Sequence, residues 1–200
     1  QFRHVTIPAS HCSEKTLEEG IGVDASNYGY AVVEKSDMVF IPDPDTAWMD
    51  PFSSIPTLTM TGNAMIIDYP HNRPLDQYPR NIVRAAEQYM RDCGIADTML
   101  ILPEFEFNLF NRVNWSIDTA HSFAEVDAEQ SYWNSHCNGM GNVVPRQKGY
   151  HVDKPFDVTY ECRSEMCMLM EDAGIPIKYH HPEVGASGQY EIEPQLGEMS

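Results

Sequence analysis

The chain has 200 residues, of which 42% are hydrophobic, and its formal net charge at pH 7 is -17. A chain of this length buries roughly two thirds of its surface, so we expect a globular protein with one large or two small domains. The negative charge would repel phosphate backbones, which argues against nucleic acid as a partner. Because no apolar run reaches about 18 residues, we expect no membrane association and a cytoplasmic location.

Short apolar or alternating runs in the first third of the chain predict a small sheet with tight turns. These runs cover residues 5–7, 30–33, 38–41 and 57–67. A segment rich in proline and polar residues follows at 68–79. Such a composition is typical of a linker or a domain edge, so a second region is expected to begin near its end.

The second region alternates helical and extended patterns. Apolar residues at helical spacing predict a helix over residues 80–93, which Gly94 would end. An extended run at 98–110 predicts a strand, and the segment 124–136 predicts a helix. Another helix is predicted from Asp157, a suitable N-cap, to Gly174. Residues 175–193 predict two strands joined by a loop that contains glycine.

Two of these predicted strand regions carry paired carboxylates. Glu104 and Glu106 alternate within the run 98–110, so a strand would point both side chains to one face, with Cα atoms about 6.5 to 7 Å apart. Glu183 and Glu191 flank the loop of the final hairpin. Neighbouring carboxylates raise each other's pKa unless a cation neutralises them, and oxygen ligands favour Mg²⁺ or Mn²⁺. A single Glu-x-Glu also fits a solvated strand face. The second pair, Glu183 and Glu191, favours a metal site.

The sequence gives little support to other kinds of site. His180 and His181 would point to opposite faces of a strand, which disfavours a shared zinc ion; only His181 and Glu183 share a side. Neither a Gly-x-x-x-x-Gly-Lys loop nor a Gly-x-Gly-x-x-Gly turn is present. A bound nucleotide would therefore depend on a divalent metal for much of its phosphate recognition.

Two segments resemble motifs of glutamine synthetases. PEFEFNLF, at 103–110, is similar to their Glu-Pro-Glu-Phe signature, and YHHPEVGASGQYEIE, at 179–193, is similar to their H-H-H-E-V-A-x-x-G-Q-x-E-I motif. Five further segments follow in the order of a bacterial type I enzyme: QFRHVTIPA, EEGIGVDASNYGY, SDMVFIPDPDTAWMDPF, GIADTMLILPEFEF and RSEMCMLMEDAGIP.

The resemblance implies an α+β fold. It places a β-grasp domain without its first strand at residues 1–77, and the first part of a catalytic domain, an antiparallel sheet with helices, at 78–200. The carboxy-terminal half of that domain would be missing, so we expect this 200-residue chain by itself to be a fragment and inactive. The resemblance also implies a homo-oligomer of two stacked hexameric rings when complete, with each active site formed between neighbouring subunits.

The family uses ATP to ligate ammonia to the side-chain carboxylate of glutamate, through a γ-glutamyl phosphate intermediate, and so makes glutamine. By position, Glu106, Glu183 and Glu191 match the ligands of one Mg²⁺ or Mn²⁺ ion, and Glu104 matches a ligand of a second. These matches imply that the acidic strands serve phosphoryl transfer, in which positioning and charge neutralisation dominate.

The resemblance assigns further roles around the two substrates. Glu183 lies beside the family's ammonium site, Tyr150 matches a tyrosine that lines it, and Asp24 matches the aspartate that helps to deprotonate ammonium. Contacts to the nucleotide are implied, by position only, for Lys178, Pro194, Gln195 and Leu196.

The chain departs from the family pattern at several positions. Asp24-Ala25-Ser26-Asn27 stands where the family has Asp-Gly-Ser-Ser, which leaves open a γ-glutamyl-amine ligase that uses an amine instead of ammonia. Phe105 and Pro182 replace a proline and a histidine without removing a carboxylate, and one glycine is absent before Tyr150. A non-catalytic structural or binding paralogue is a third possibility, against which the retention of all four glutamates argues.

Overall fold

The computed structural model describes residues 4–26, 37–134, 143–185 and 188–199. By its internal contacts the chain divides into two units, Gln1–Leu100 with Glu198–Ser200, and Ile101–Gly197. Among the described residues, no helix is both long and apolar enough to cross a bilayer. The predicted domains, residues 1–77 and 78–200, stay a prediction.

The first unit is built on an antiparallel sheet whose strands, in spatial order, are β1 (Ile21–Asp24), β2 (Asp37–Met49), β3 (Leu58–Ile66) and β4 (Arg73–Pro74). Phe40 of β2 lies between Ile21 of β1 and Ala64 of β3. Because side chains alternate along a strand, one face of the sheet collects the apolar residues. The buried cluster consists of Ala25, Met38, Ala64 and Leu75.

The helices of this unit flank the sheet in sequence. A short 3-10 helix (Ala9–His11) and α1 (Glu14–Glu19) precede β1, and α2 (Pro79–Asp92) follows β4. Pro79 is the first residue of α2, where its fixed φ suits the helix and its missing N–H costs nothing. The hydroxyl of Tyr78 donates to the carbonyl of Gly62, and Nδ2 of Asn81 donates to that of Ala64, each at 2.9 Å. The predicted helix over 80–93 is confirmed, and these bonds hold its start on β3.

Asp43 of β2 provides a test of how α2 is attached to the sheet. Its carboxylate accepts a 2.7 Å hydrogen bond from Arg80 and lies 3.5 Å from Arg84, both on α2. The Arg80 hydrogen bond is the main reason that the pKa of Asp43 lies below its usual value. A lowered pKa in the folded state gives stability that is present above the unfolded pKa, about 3.9, and is lost as pH falls through the folded pKa.

We therefore expect Asp43→Asn to lower the free energy of unfolding at pH 7 by roughly 1 to 2 kcal/mol. The difference from wild type should shrink as pH falls below about 4, because the carboxylate of the unfolded wild-type chain then takes up a proton. It should vanish only below the lowered pKa of the folded carboxylate. Urea unfolding at pH 7 and pH 3 measures both effects. A difference that stays constant between the two pH values would contradict the ion pair as its cause.

The second unit contains the three-stranded antiparallel sheet that carries the acidic residues. Its strands, in spatial order, are β6 (Phe105–Asn108), β10 (Gln189–Pro194) and β9 (Ile177–Pro182). The chain also forms the hairpin of β7 (Arg112–Ile117) and β8 (Ser122–Asp127), a 3-10 helix (Tyr132–Asn134) and α3 (Tyr160–Asp172). The short strands β5 (Leu100–Ile101) and β11 (Gly197–Glu198) lie where the chain passes between the units. The predicted final hairpin is confirmed as β9 and β10.

The strand predicted over residues 98–110 is interrupted. Its two ends form β5 and β6, whereas residues 102–104 belong to neither. Pro103 lies in this gap, where its missing N–H prevents a ladder hydrogen bond. Glu104 therefore precedes β6 and does not belong to it, while Glu106 is a strand residue as predicted.

The helix predicted over residues 124–136 is wrong. Residues 122–127 form β8 instead, and the only helix in the described part of that range is the turn Tyr132–Asn134. Val126 pairs with Val113, and Ala124 with Trp115, so strand alternation decides the structure here. The carboxylate of Asp127 accepts bonds from Trp133 and Asn134 and fixes the turn that follows. Residues 135 and 136 lie outside the described residues.

The helix predicted from Asp157 begins later than expected. The N-cap of α3 is Thr159, and the helix starts at Tyr160. Asp157 is buried, and its carboxylate is bound by both terminal nitrogens of Arg163. A buried charge needs a charged partner more than a helix end needs a cap, so the ion pair determines the place of Asp157.

Candidate metal centre

Three neighbouring strands bring acidic side chains to one face of the second unit. Glu106 of β6, Glu191 of β10 and His181 of β9 are directly opposed. Directly opposed residues share a side of an antiparallel sheet, as do residues two apart in one strand. Glu104, just before β6, and Glu183, just after β9, extend the row. We call these residues the acidic face: Glu104, Glu106, His181, Glu183, Glu191 and Glu193.

Two groups of side chains on the acidic face could each hold a metal ion. One contains His181, Glu183 and Glu191, and the other contains Glu104, Glu191 and Glu193. Within each group, one potential ligand atom per side chain lies within 4.8 Å of the others. Glu191 belongs to both groups and is therefore the centre of the arrangement. Glu106 belongs to neither, although it lies opposite Glu191 in the sheet.

The carboxylate of Glu191 is buried in an unfavourable electrostatic environment. Burial is the main cause that raises its pKa, followed by the hydrogen bond with Glu183 and repulsion from Glu104. His181 acts in the opposite direction, with Nε2 3.7 Å from Glu191 and Nδ1 3.7 Å from Glu183. The ionised form of Glu191 would be stabilised by a cation at this position.

Lys178 is paired within the protein. Its ammonium lies 2.5 Å from the buried carboxylate of Glu193 and over the ring of Tyr179, 4.5 Å from the ring centroid. The hydrogen bond from Lys178 lowers the pKa of Glu193, and the same pair raises the pKa of Lys178. Pro194 ends β10, and Gln195 and Leu196 are exposed beyond it. The nucleotide contacts of these four residues stay a prediction.

Tyr150 lies next to the acidic face on a loop that contacts the end of β9. The backbone N–H of His151 donates to the carbonyl of Pro182 at 3.1 Å. A Cβ at Gly149 would lie 2.6 Å from the carbonyl oxygen of Glu183, so only glycine allows this approach. The ring of Tyr150 lies edge-on to His181, with centroids 5.3 Å apart. The structure thus places the predicted pocket-lining tyrosine beside His181 and Glu183.

Asp24 lies in the first unit, at the end of β1. Its carboxylate accepts the backbone N–H of Ser26 at 2.9 Å. Ala25 is fully buried, and its methyl group belongs to the core cluster of that unit. The departure from the family's glycine at position 25 is therefore explained by packing. Asn27 lies outside the described residues.

The structure adds functional candidates that were not among the residues predicted from the sequence. His151 stacks on His181 with ring centroids 4.1 Å apart, and nothing in the sequence links two residues thirty positions apart. Gln189 donates a hydrogen bond to Glu106 across the sheet. Glu193 is the candidate with a visible signal, because Glu191 and Glu193 repeat the alternation of Glu104 and Glu106.

The side chains of the acidic face fit a hard divalent cation. Five carboxylates and one imidazole converge there, and Lys178 neutralises one carboxylate. Buried carboxylates that repel each other are stabilised when a cation takes their oxygens as ligands. The excess of oxygen ligands over the single histidine favours a hard divalent cation over zinc.

Two models of known protein domains match the chain. A model of the glutamine synthetase β-grasp domain matches residues 1–66, and a model of the glutamine synthetase catalytic domain matches residues 76–199. The chain belongs to the glutamine synthetase family. The predicted α+β fold, a β-grasp domain followed by part of a catalytic domain, is confirmed.

Individual relatives cover nearly all of the chain. It is 40% identical over 195 residues to the glutamine synthetase of Methylococcus capsulatus, and 37% identical over 196 residues to the 3-hydroxylaminophenol mutase of Cupriavidus pinatubonensis. Each alignment covers 95% of this chain and 41% of the relative, so the chain spans about two fifths of their length. The cryo-EM structure of Plasmodium falciparum glutamine synthetase matches the fold with a TM-score of 0.79 at 23% identity, over 96% of this chain and 38% of that one.

Proposed function

We propose that this chain is part of a glutamate-ammonia ligase, which uses ATP to form γ-glutamyl phosphate and then glutamine. The observation that carries the proposal is the acidic face, where Glu191 is shared by two potential ligand groups. Glutamine synthetases at 36% to 40% identity support the same reaction. The complete protein is proposed to be a cytoplasmic homo-oligomer of two stacked hexameric rings.

Glu106, Glu183 and Glu191 would hold one divalent ion, Mg²⁺ or Mn²⁺, and Glu104 would contribute to a second. When bound, these ions supply the charge neutralisation that phosphoryl transfer from ATP requires. The buried position of Glu191 and its contact with Glu183 support the assignment, because both carboxylates lose repulsion when a cation binds. Lys178 and the segment 194–196 are proposed to contact the nucleotide. Lys178 lies on β9, and the segment 194–196 begins at the last residue of β10.

Residues beside the acidic face are proposed to receive ammonia. Tyr150 would line the pocket, with its ring held against His181. Glu183 lies next to it and can attract an ammonium ion by charge. Asp24 is proposed to take a proton from ammonium in the active site of a neighbouring subunit. Attack of the resulting ammonia on the acyl phosphate forms the amide bond and releases phosphate.

A ligase that uses an amine instead of ammonia is the second candidate. Its support is the altered segment 24–27, but the methyl group of Ala25 lies in the core and does not reshape a substrate pocket. The observation that remains in favour of an amine is therefore asparagine in place of serine at position 27. Because a single substitution is weak support, the ammonia-dependent ligase is preferred.

The test is phosphate release from ATP by the complete protein with glutamate and Mn²⁺. We expect ammonia to stimulate release and glutamine to form, whereas a panel of primary amines should stimulate it weakly. Glu183→Gln should abolish the stimulation, while the control Glu161→Gln, whose side chain is 85% exposed on α3, should retain it.

Three results would contradict the proposal in distinguishable ways. Stimulation by an amine and not by ammonia would establish the second candidate. Because a relative carries the name 3-hydroxylaminophenol mutase, 3-hydroxylaminophenol is included among the substrates. Rearrangement of 3-hydroxylaminophenol without ATP would indicate a mutase. No turnover with any substrate would favour the non-catalytic paralogue.

A further inference from the structure

Gln189, the first residue of β10, contacts two of the predicted metal ligands. Its side-chain Nε2 donates to Oε2 of Glu106 at 2.7 Å, across the sheet. Its carbonyl oxygen accepts the backbone N–H of Glu183 at 2.9 Å. Glu191 lies two residues further along the same strand. Gln189 therefore contacts the carboxylate of Glu106 through its side chain and the backbone of Glu183 through its carbonyl group.

We propose that Gln189 is a positioning residue that orients the carboxylate of Glu106 for divalent-ion binding, an inference that rests on the proposed function. Glu106 is exposed, and a free glutamate side chain samples several rotamers. A hydrogen bond from an amide to a carboxylate is charge-assisted and directional. Because Gln189 engages Oε2, the hydrogen bond holds the carboxylate in one orientation and does not use Oε1.

The chemistry of an amide suits this role. Glutamine keeps its N–H donors at every physiological pH, whereas a carboxylate at position 189 would repel Glu106. The amide orientation is also determined, since the reverse orientation would place the oxygen of Gln189 against the carboxylate of Glu106. The donor thus points to the ligand for an electrostatic reason.

The test measures Mn²⁺ binding to the complete protein by the electron paramagnetic resonance signal of free Mn²⁺. Gln189→Met removes the donor but keeps the length of the side chain, and we expect Mn²⁺ affinity to fall about 10-fold to 100-fold. Gln189→Asn keeps the amide but shortens the side chain by one methylene, so the donor no longer reaches Glu106 and a similar loss is expected.

Gln88→Met is the matched control. Gln88 also donates an amide hydrogen bond to a carboxylate, that of Asp92 at 2.8 Å, but on the exposed surface of α2. The Mn²⁺ affinity of the Gln88→Met variant should equal that of wild type. The spectrum of bound Mn²⁺ at saturation should change in Gln189→Met and stay unchanged in the control, which a general loss of stability would not produce.

The outcomes separate this inference from the proposed function. Unchanged Mn²⁺ affinity in both Gln189→Met and Gln189→Asn would overturn the inference alone, provided that Glu183→Gln weakens binding. Wild-type protein that binds no Mn²⁺ would overturn the inference and the proposed metal centre together. Should Gln189→Met fail to fold, Gln189→Asn decides, since normal affinity in that variant contradicts the inference and reduced affinity supports it.

Discussion

Replacement of Arg163 by alanine is expected to destabilise the second unit by about 3 to 5 kcal/mol, the loss typical when one partner of a buried ion pair is removed. Arg163 is fully buried, and Asp157 is 6% exposed. The two terminal nitrogens of Arg163 bind the two carboxylate oxygens of Asp157, so the alanine variant would leave a buried carboxylate without its charged partner. Water cannot replace the guanidinium fully at a position with so little access.

Arg163 also joins α3 to the side of the sheet opposite the acidic face. Its Nε donates to Nδ1 of His180 on β9 at 3.2 Å, and its guanidinium lies 4.6 Å from the ring centroid of Tyr190 on β10. Burial lowers the pKa of His180, and the charge of Arg163 adds to this effect, which keeps the imidazole neutral and able to accept. The alanine variant should therefore loosen the helix and both strands together.

Native-state hydrogen exchange in the complete protein measures this effect, because it reports the opening free energy of α3, β9 and β10 separately. Arg112→Ala is the matched control, since Arg112 is 65% exposed and forms a 3.2 Å pair with Glu125 on the surface. We expect the control to lose less than about 1 kcal/mol. The double variant Arg163→Met with Asp157→Asn should lose less than Arg163→Ala, because it leaves no unpaired charge. Equal losses in Arg163→Ala and Arg112→Ala would refute the role of burial.

The sequence predicted those parts of the structure that depend on local patterns. Alternation indicated that Glu106 is a strand residue, the final hairpin pattern placed Glu183 and Glu191 on either side of its loop, and helical spacing located α2 with Gly94 after it. These features follow from side-chain periodicity, which a single segment displays by itself.

The predictions that failed did so where a tertiary contact outweighed a local pattern. Asp157 has the chemistry of an N-cap, but Arg163, six positions later, takes its carboxylate into the interior. The segment 124–127 contains helix formers, yet pairing with β7 makes it a strand. The link between Gln189 and Glu106 spans 83 positions, so no local pattern could indicate it.

The substitution Glu191→Gln is expected to reduce Mn²⁺ affinity beyond the roughly 100-fold loss that removing a neighbour of a ligand produces. Glu191 is the residue shared by both potential ligand groups, so one change affects both positions. The amide retains the shape of the side chain but carries no charge and binds a hard cation weakly. Equilibrium binding of Mn²⁺ to the complete protein gives the value, and Glu161→Gln on the surface of α3 is the control.

The same substitution should have the opposite effect on stability when divalent ions are removed. Burial and the neighbouring carboxylates raise the pKa of Glu191. A raised pKa in the folded state means stability that is present at low pH and is lost as pH rises through the folded pKa. At pH 7 with a chelator, Glu191→Gln should therefore unfold at a higher temperature than wild type, and the advantage should disappear as pH falls towards 4.

Addition of Mn²⁺ at pH 7 should stabilise wild type and leave the Glu191→Gln variant unchanged. A variant that binds Mn²⁺ as tightly as wild type, or that is less stable in the chelator, would show that the repulsion around Glu191 does not serve to attract a cation.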